Sequence, residues 1–284
     1  MNPLTLDPLP TTDAEWEATG FFRFNSVDIP QKISYARTVG NHSTLLAMVG
    51  GIPRDPNRRA ILPVVPKLFG LLAYELQSEE HTSLLYHQPG LGASGGDFAT
   101  ETLASRARTL TELVKIFECE TKSSQAIIFG SSAGAYMALR AARRLQFDGA
   151  VVPKVVLLAP PAFPPTIDSV PYGPEFTKIV RTPWDFATAP IFDDLVAYVE
   201  SGGSVLVVYA EYDENIPRKI QQLYQSHVVR LREQGKPVAY WRIPGVTHYL
   251  RPPDGTVGYA ESNDGCVRTV VSKLRDFITG KNSF

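Results

Sequence analysis

Residues 130–134 read Gly-Ser-Ser-Ala-Gly, and they decide which fold the sequence predicts. An apolar run, Ala126–Phe129, precedes them and indicates a strand, whereas Tyr136–Ala142 follows them and favours a helix. A serine at such a strand-to-helix turn is held in a strained backbone conformation that lifts its hydroxyl above the sheet edge. The outer glycines are needed because a Cβ atom there would collide with the neighbouring strand or helix. The pattern therefore predicts Ser132 as a nucleophile, with Ser131 as the first alternative.

The bulk composition fits one large α/β domain. The chain has 284 residues, of which 44% are hydrophobic, and we expect a single domain over residues 20–284 after an N-terminal arm of residues 1–19. A net charge of −1 and a pI near 6.5 give no electrostatic footprint for a nucleic acid. Cys119 and Cys266 are too few for a disulfide framework and lie in no metal-ligand spacing, so we interpret them as ordinary thiols in a reducing compartment.

No segment of the sequence is expected to enter a membrane. Residues 1–16 have neither a basic start nor a continuous apolar core, unlike a secretory signal. The longest apolar stretch, residues 60–76, is interrupted by Pro63, Pro66 and Lys67 and is too short to span a bilayer comfortably. We therefore expect a soluble, cytoplasmic protein.

Short β-like runs alternate with longer amphipathic runs along most of the chain. This alternation predicts a mainly parallel, roughly eight-stranded sheet with helices on both faces. Strands around residues 21–24 and 33–39 are expected to form an antiparallel start. The other expected strands are Leu45–Val49, Ser83–Tyr86, Ala126–Phe129, Val155–Leu158, Val205–Tyr209 and Val238–Ile243, and the expected helices lie within residues 64–77, 103–117, 136–142, 221–234 and 267–278.

The alternation stops between residues 160 and 203, in a segment rich in proline and aromatic residues. About 40 residues without a clear strand is long for a connection inside a compact domain, and such loops often cover a site. We interpret the segment as a short lid insertion in which Tyr172, Phe176, Trp184 and Phe186 contact the substrate. The alternative is a surface excursion that packs its own aromatic residues.

A serine nucleophile needs a base that takes its proton and an acid that orients the base. After a Gly-x-Ser-x-Gly turn, both groups should follow later strands, in the order serine, acid, histidine. The strand that ends at Tyr209 leads into a loop that contains three acidic residues, Glu211, Asp213 and Glu214. The strand that ends at Ile243 leads to His248. The acid and the base are therefore expected in these two loops.

The remaining histidines fit the role of the base less well. His42 and His81 precede their strands, which places them at the opposite sheet edge, and His227 falls in the middle of a predicted helix. Only His87, directly after Tyr86, reaches the same edge as Ser132.

Three segments resemble motifs of the α/β-hydrolase superfamily, and the resemblance covers roughly residues 20–280. Residues 210–217, Ala-Glu-Tyr-Asp-Glu-Asn-Ile-Pro, resemble the family's acid loop Gly-x-x-Asp-x-x-(Val/Ile)-Pro, with alanine in place of the glycine. Residues 245–248 resemble its Gly-x-x-His segment, and residues 89–94 resemble its Arg-Gly-x-Gly-x-Ser turn. The match implies a catalytic triad of Ser132, Asp213 and His248.

Two departures from the family pattern concern the loops beside the triad. Residues 50–53 read Gly-Gly-Ile-Pro where many members have His-Gly, and His87 stands where many have aspartate. The first change leaves backbone N–H groups for an oxyanion hole, which needs two preorganised donors. We expect these donors to be Ile52 and Ala133, with Gly51 as the nearest competitor of Ile52 and as a substrate contact.

The resemblance implies a serine hydrolase that cleaves a small or medium ester, thioester or lactone through an acyl-serine intermediate. The aromatic residues of the predicted lid indicate that the substrate is largely apolar. It implies no metal and no organic cofactor. A biosynthetic cyclase or acyltransferase, or a carbon–carbon bond hydrolase, would use the same triad. A non-catalytic ligand-binding protein on the same scaffold is the alternative of another class. The expected partners are small molecules, with no nucleic acid and no membrane span.

Overall fold

The computed structural model describes most of the chain, and its strands follow the order that the sequence predicts. The described residues are 21–29, 31–38, 43–51, 68, 69, 72, 73, 76, 81–86, 88–91, 94–150, 152–248, 250 and 263–281. The strands are β1 (Phe21–Ile29), β2 (Gln31–Thr38), β3 (Thr44–Val49), β4 (His81–Tyr86), β5 (Gln125–Ser131), β6 (Lys154–Leu158), β7 (Ser204–Tyr212) and β8 (Val238–Thr247). The α-helices with complete bounds are α1 (Leu103–Thr121), α2 (Ala133–Phe147), α3 (Pro174–Arg181), α4 (Pro190–Glu200), α5 (Arg218–Glu233) and α6 (Asn263–Thr279).

The eight strands form one sheet in the order β1-β2-β4-β3-β5-β6-β7-β8. The six strands from β4 to β8 in this order pair in parallel, whereas β1 and β2 form an antiparallel pair that joins β4. The predicted mainly parallel sheet with an antiparallel start is confirmed. Because parallel strands end at the same sheet edge, the loops after β3, β5, β7 and β8 meet there.

Both faces of the sheet are buried, which explains why its parallel strands are continuous apolar runs. Successive residues of β3 enter opposite cores: Leu45 and Ala47 pack with α1, α2, α4 and α5, whereas Leu46 and Met48 pack on the other face. The second core also contains the helical residues Leu68, Phe69, Leu72, Ala73 and Leu76, together with Val270, Val271, Leu274 and Ile278 of α6. The predicted helices on both faces are thus confirmed.

The segment of residues 160–203 contains no strand, as predicted, but it contains two α-helices that were not predicted. Its second half is α4, which is part of the α-helical layer and buries Ile191, Phe192, Leu195, Tyr198 and Val199. Its first half contains α3, a short helix with no buried residue, and short 3-10 turns at Ile167–Ser169 and Phe186–Thr188. A lid could therefore be formed only by the part before α4.

Three further features concern the described part of the chain. None of its helices is long and apolar enough to cross a membrane. It contains no group of three His, Cys, Asp or Glu side chains that could hold a metal ion. Cys119, on α1, is an exposed free thiol.

Candidate active site

Ser132 lies in the tight turn between β5 and α2. Its backbone has φ 54° and ψ −129°, in the positive-φ region that side chains other than glycine rarely adopt. Its N–H donates to the Leu158 carbonyl at 2.8 Å, which ties the turn to the end of β6. The Ser132 side chain does not cap α2, although the residue occupies the N-cap position, so the hydroxyl is left for chemistry. The strained turn predicted from the sequence is confirmed.

The outer glycines of the turn allow three backbone segments to approach closely. A Cβ atom on Gly130 would lie 2.3 Å from the Gly134 carbonyl oxygen. A Cβ atom on Gly134 would lie 2.4 Å from the carbonyl oxygens of both Val49 and Gly50. Both distances are far inside van der Waals contact, so only glycine fits. This packing places the end of β3 directly beside the serine turn.

Asp213 and His248 form a buried pair at the ends of β7 and β8. Both carboxylate oxygens of Asp213 lie 2.9 Å from Nδ1 of His248. The side chains are 0% and 7% exposed, respectively. Oδ1 of Asp213 also accepts the backbone N–H groups of Asn215 at 3.0 Å and Ile216 at 2.9 Å. These contacts fix the carboxylate and direct Nδ1–H of the imidazole toward it, so Nε2 carries the lone pair that can accept a proton.

The two glutamates that flank Asp213 hold the histidine loop by its backbone. Oε2 of Glu211 accepts the N–H of Gly245 at 2.8 Å, and Oε2 of Glu214 accepts the N–H of His248 at 3.1 Å. Neither glutamate contacts the imidazole in these hydrogen bonds, which agrees with Asp213 as the orienting acid. Sequence reasoning missed these backbone contacts, and the only signal for them was three acidic residues in one loop.

Gly51, the predicted competitor for the oxyanion donor, packs against Ser132. A Cβ atom on Gly51 would lie 3.1 Å from Cβ and 3.6 Å from Oγ of Ser132. Ala133, the other predicted donor, is the first residue of α2 and is 7% exposed. Ile52 lies outside the described residues, so its predicted role stays a prediction.

Gln88, directly after the position of His87, is a site residue that the sequence did not reveal. It is 5% exposed, and its Nε2 donates to the Gly50 carbonyl at 2.7 Å. Its Oε1 accepts from Nη1 of Arg106 on α1 at 2.6 Å. A glutamine and an arginine 18 residues apart form no motif, so only the fold brings them together.

The four aromatic residues predicted to contact substrate form two pairs. Tyr172 and Phe176 meet edge to face at 5.0 Å, and Trp184 and Phe186 do so at 4.9 Å. Tyr172 is 4% exposed, which leaves little of its surface for a ligand, whereas the other three are partly buried against the core. The substrate role of all four stays a prediction.

The positions of the other described histidines agree with the prediction that neither serves as the base. His81 begins β4, opposite Thr44 at the amino end of β3, so it lies at the far sheet edge. His227 lies on α5 with its ring stacked 5.1 Å from that of Phe192. Burial there lowers the pKa of His227, and the nearby Arg230 adds to the effect. His42 and His87 lie outside the described residues.

No protein-family model and no curated protein matches this chain. Solved structures do match it. A serine hydrolase of the α/β class from Xanthomonas campestris, described as having no lid, is 16% identical with a TM-score of 0.57 over 96% of each chain. Est1E from Butyrivibrio proteoclasticus, solved with ferulic acid bound, is 15% identical with a TM-score of 0.57 over 87% of this chain and 96% of its own. An arylesterase is 15% identical with a TM-score of 0.59 over 91% of this chain and 85% of its own. Together with the sheet order and the strained serine turn, these likenesses show that the chain has the α/β-hydrolase fold.

Proposed function

We propose that this protein is a serine hydrolase that cleaves a small or medium ester, thioester or lactone through an acyl-serine intermediate. The observation that carries the proposal is the buried Asp213–His248 pair, with 2.9 Å contacts, at the same sheet edge as the strained Ser132 turn. The structural likeness to an arylesterase and to Est1E with bound ferulic acid supports ester chemistry.

In this mechanism Oγ of Ser132 attacks the substrate carbonyl carbon while its proton moves to Nε2 of His248. Asp213 stays ionised and stabilises the imidazolium that forms. The imidazolium then gives the proton to the leaving oxygen or sulfur atom as the bond to the acyl carbon breaks. Water attacks the acyl-serine in the second half of the reaction, with His248 again as the base.

The negative charge that develops on the carbonyl oxygen needs preorganised donors. The N–H of Ala133 points out of the first turn of α2, where the helix dipole favours an anion. The N–H of either Ile52 or Gly51, in the loop after β3, is the second donor. The close approach of Gly51 to Ser132 supports a donor from this loop.

The substrate is proposed to carry an apolar acyl or alkyl group. Apolar surface for such a group is offered by three partly buried side chains in the segment that connects β6 to α4, namely Phe176, Trp184 and Phe186.

A fluorophosphonate probe, followed by peptide mass spectrometry, tests the proposal. The probe is expected to label Ser132, and Ser132→Ala is expected to lose both the label and a factor of about 10⁴ or more in kcat. Ser131→Ala is the matched control and should keep both. Labelling or ester turnover that persists in Ser132→Ala would overturn the assignment. A series of p-nitrophenyl esters of increasing chain length then defines the preferred acyl group.

A further inference from the structure

A buried arginine lies behind the loop that follows β3. Arg106, on α1, is 0% exposed, and burying an unpaired cation costs several kcal/mol. Its guanidinium donates from Nη1 to Oε1 of Gln88 at 2.6 Å and from Nη2 to the Pro89 carbonyl at 2.7 Å. The rings of Phe98 and Tyr172 lie 5.0 and 4.7 Å from the guanidinium carbon, within cation–π range.

Neutral oxygens, rather than a carboxylate, receive the hydrogen bonds of this cation. Within the described residues no carboxylate lies at salt-bridge distance from Arg106, although Glu101 attracts it over a longer range. Burial lowers the pKa of Arg106, and Glu101 and Tyr172 partly offset this effect. The positive charge therefore lies directly beside the amide oxygen of Gln88 and the Pro89 carbonyl.

The orientation of the Gln88 amide is unambiguous. An arginine can only donate hydrogen bonds, so the atom of Gln88 that faces it must be the oxygen. The amide nitrogen then faces the loop after β3, where it donates to the Gly50 carbonyl at 2.7 Å and lies 3.4 Å from the Gly51 carbonyl.

Those two carbonyls belong to the peptides that carry the candidate oxyanion donors. A peptide group is planar, so the Gly50 carbonyl shares its plane with the N–H of Gly51, and the Gly51 carbonyl shares its plane with the N–H of residue 52. A hydrogen bond to a peptide carbonyl fixes the direction of the N–H and also polarises it into a stronger donor. The cation of Arg106, which donates to the other end of the Gln88 amide, increases this polarisation.

We infer that Gln88, with Arg106 behind it, is a positioning pair that aims and polarises the oxyanion donors in the loop after β3. The inference rests on the proposed hydrolase function. The competing interpretation is that Arg106 and Gln88 only hold β4 against α1. The two interpretations differ in what the Gln88 donor does during the reaction.

The variant Gln88→Glu distinguishes the positioning role from the purely structural role. The carboxylate keeps a partner for Arg106 and turns it into an ion pair, so the fold should hold, but it has no N–H to donate to Gly50. Since oxyanion contacts strengthen in the transition state, kcat is expected to fall roughly 10- to 100-fold with little change in KM. The midpoint of thermal unfolding should stay within a few degrees of the parent protein. A second variant, Gln88→Met, removes both hydrogen bonds and should show the same loss in kcat.

Two measurements complete the test. Affinity for a trifluoromethyl ketone, which forms a tetrahedral adduct with the serine, should fall in Gln88→Glu by about the same factor as kcat. Parental kcat in Gln88→Glu, or loss of stability in both variants without a separate defect in kcat, would overturn the inference while Ser132 labelling still upheld the hydrolase. If the parent protein neither labels at Ser132 nor cleaves any ester, the proposed function fails and the inference falls with it.

Discussion

Asp213 and Glu214 are neighbours in one loop, but they act on different atoms of His248. The Asp213 carboxylate contacts Nδ1 of the ring, whereas the Glu214 carboxylate accepts the backbone N–H. Oδ1 of Asp213 is already held by two backbone N–H groups. In Asp213→Asn the amide oxygen would keep that place, so the NH2 group would replace Oδ2, which lies 2.9 Å from Nδ1, and would favour the unproductive tautomer.

Asp213→Asn is therefore expected to lower kcat on the order of 10⁴-fold. Glu214→Gln keeps an acceptor for the His248 N–H and should lose less than about threefold, whereas Glu214→Ala should lose roughly tenfold. Steady-state kinetics on one ester for all three variants checks the order. If Glu214→Gln were the most damaging change, the acid would have to be reassigned.

Glu118, near the end of α1, gives a pH dependence of stability that is separate from catalysis. Its Oε1 is buried with no hydrogen-bond partner in the described part of the chain, and burial raises its pKa from the usual 4.5 to about 7. The folded protein thus holds this proton more tightly than the unfolded chain. The contribution of Glu118 to the free energy of unfolding is therefore fully present below pH 4.5 and is lost as the pH rises toward 7.

Glu118→Gln is expected to remove the loss of stability that Glu118 causes as the pH rises. After allowance for partial solvent exposure, the variant should be about 1 kcal/mol more stable than the parent at pH 8. The difference should vanish near pH 4. Urea unfolding at the two pH values measures it, and an equal difference at both would show that Glu118 does not titrate in this range.

Among the elements, the segment before α4 is the one that we propose to set substrate preference. Trp184 and Phe186 meet edge to face and are partly buried. If Trp184 lines the acyl pocket, Trp184→Ala removes apolar contact with the substrate. The lost binding free energy should be roughly 1–3 kcal/mol for a long-chain ester and almost nothing for an acetyl ester. The ratio of kcat/KM between a long and a short ester should then fall roughly 5- to 150-fold.

The matched control is Val180→Ala, which truncates an exposed apolar side chain on α3 in the same segment. It should leave the ratio unchanged. Equal losses for both esters in Trp184→Ala, together with a lower melting temperature, would mean that the aromatic pair only packs the segment against the core.

At the scale of the whole molecule, the sequence predicts those features that depend on local pattern. Strands such as β3 and β7 are recognisable because burial on both faces makes them continuous apolar runs. The serine turn, the acidic loop and His248 follow from strand ends and chain order, and the resemblance to the family's acid loop then selects Asp213. The apolar spacing of Ile191, Leu195 and Tyr198 is a signal for a core helix at α4 that the predicted lid over residues 160–203 did not take into account.

Contacts between residues that only the fold brings together could not be predicted from the sequence. Gln88 and Arg106 lie on β4's loop and on α1, and neither has a neighbour in sequence that signals a buried polar pair. The glutamates beside Asp213 bind backbone groups about 34 residues away, where any residue type would present the same N–H. Such contacts leave no residue pattern because their partners are main-chain atoms.

His248 follows β8, an edge strand of the sheet, whereas Ser132 follows the central strand β5. Proteins open locally before they unfold globally, and an edge strand opens more easily than a central one. In mild urea, hydrogen exchange of the amides in Val238–Thr247 should therefore be faster than in Gln125–Ser131, and ester turnover should disappear before the far-UV circular dichroism signal. Coincident midpoints would show that the whole sheet unfolds as one unit. With separate midpoints, inactivation is a reversible sub-global opening, and an activity assay underestimates the fraction of folded protein.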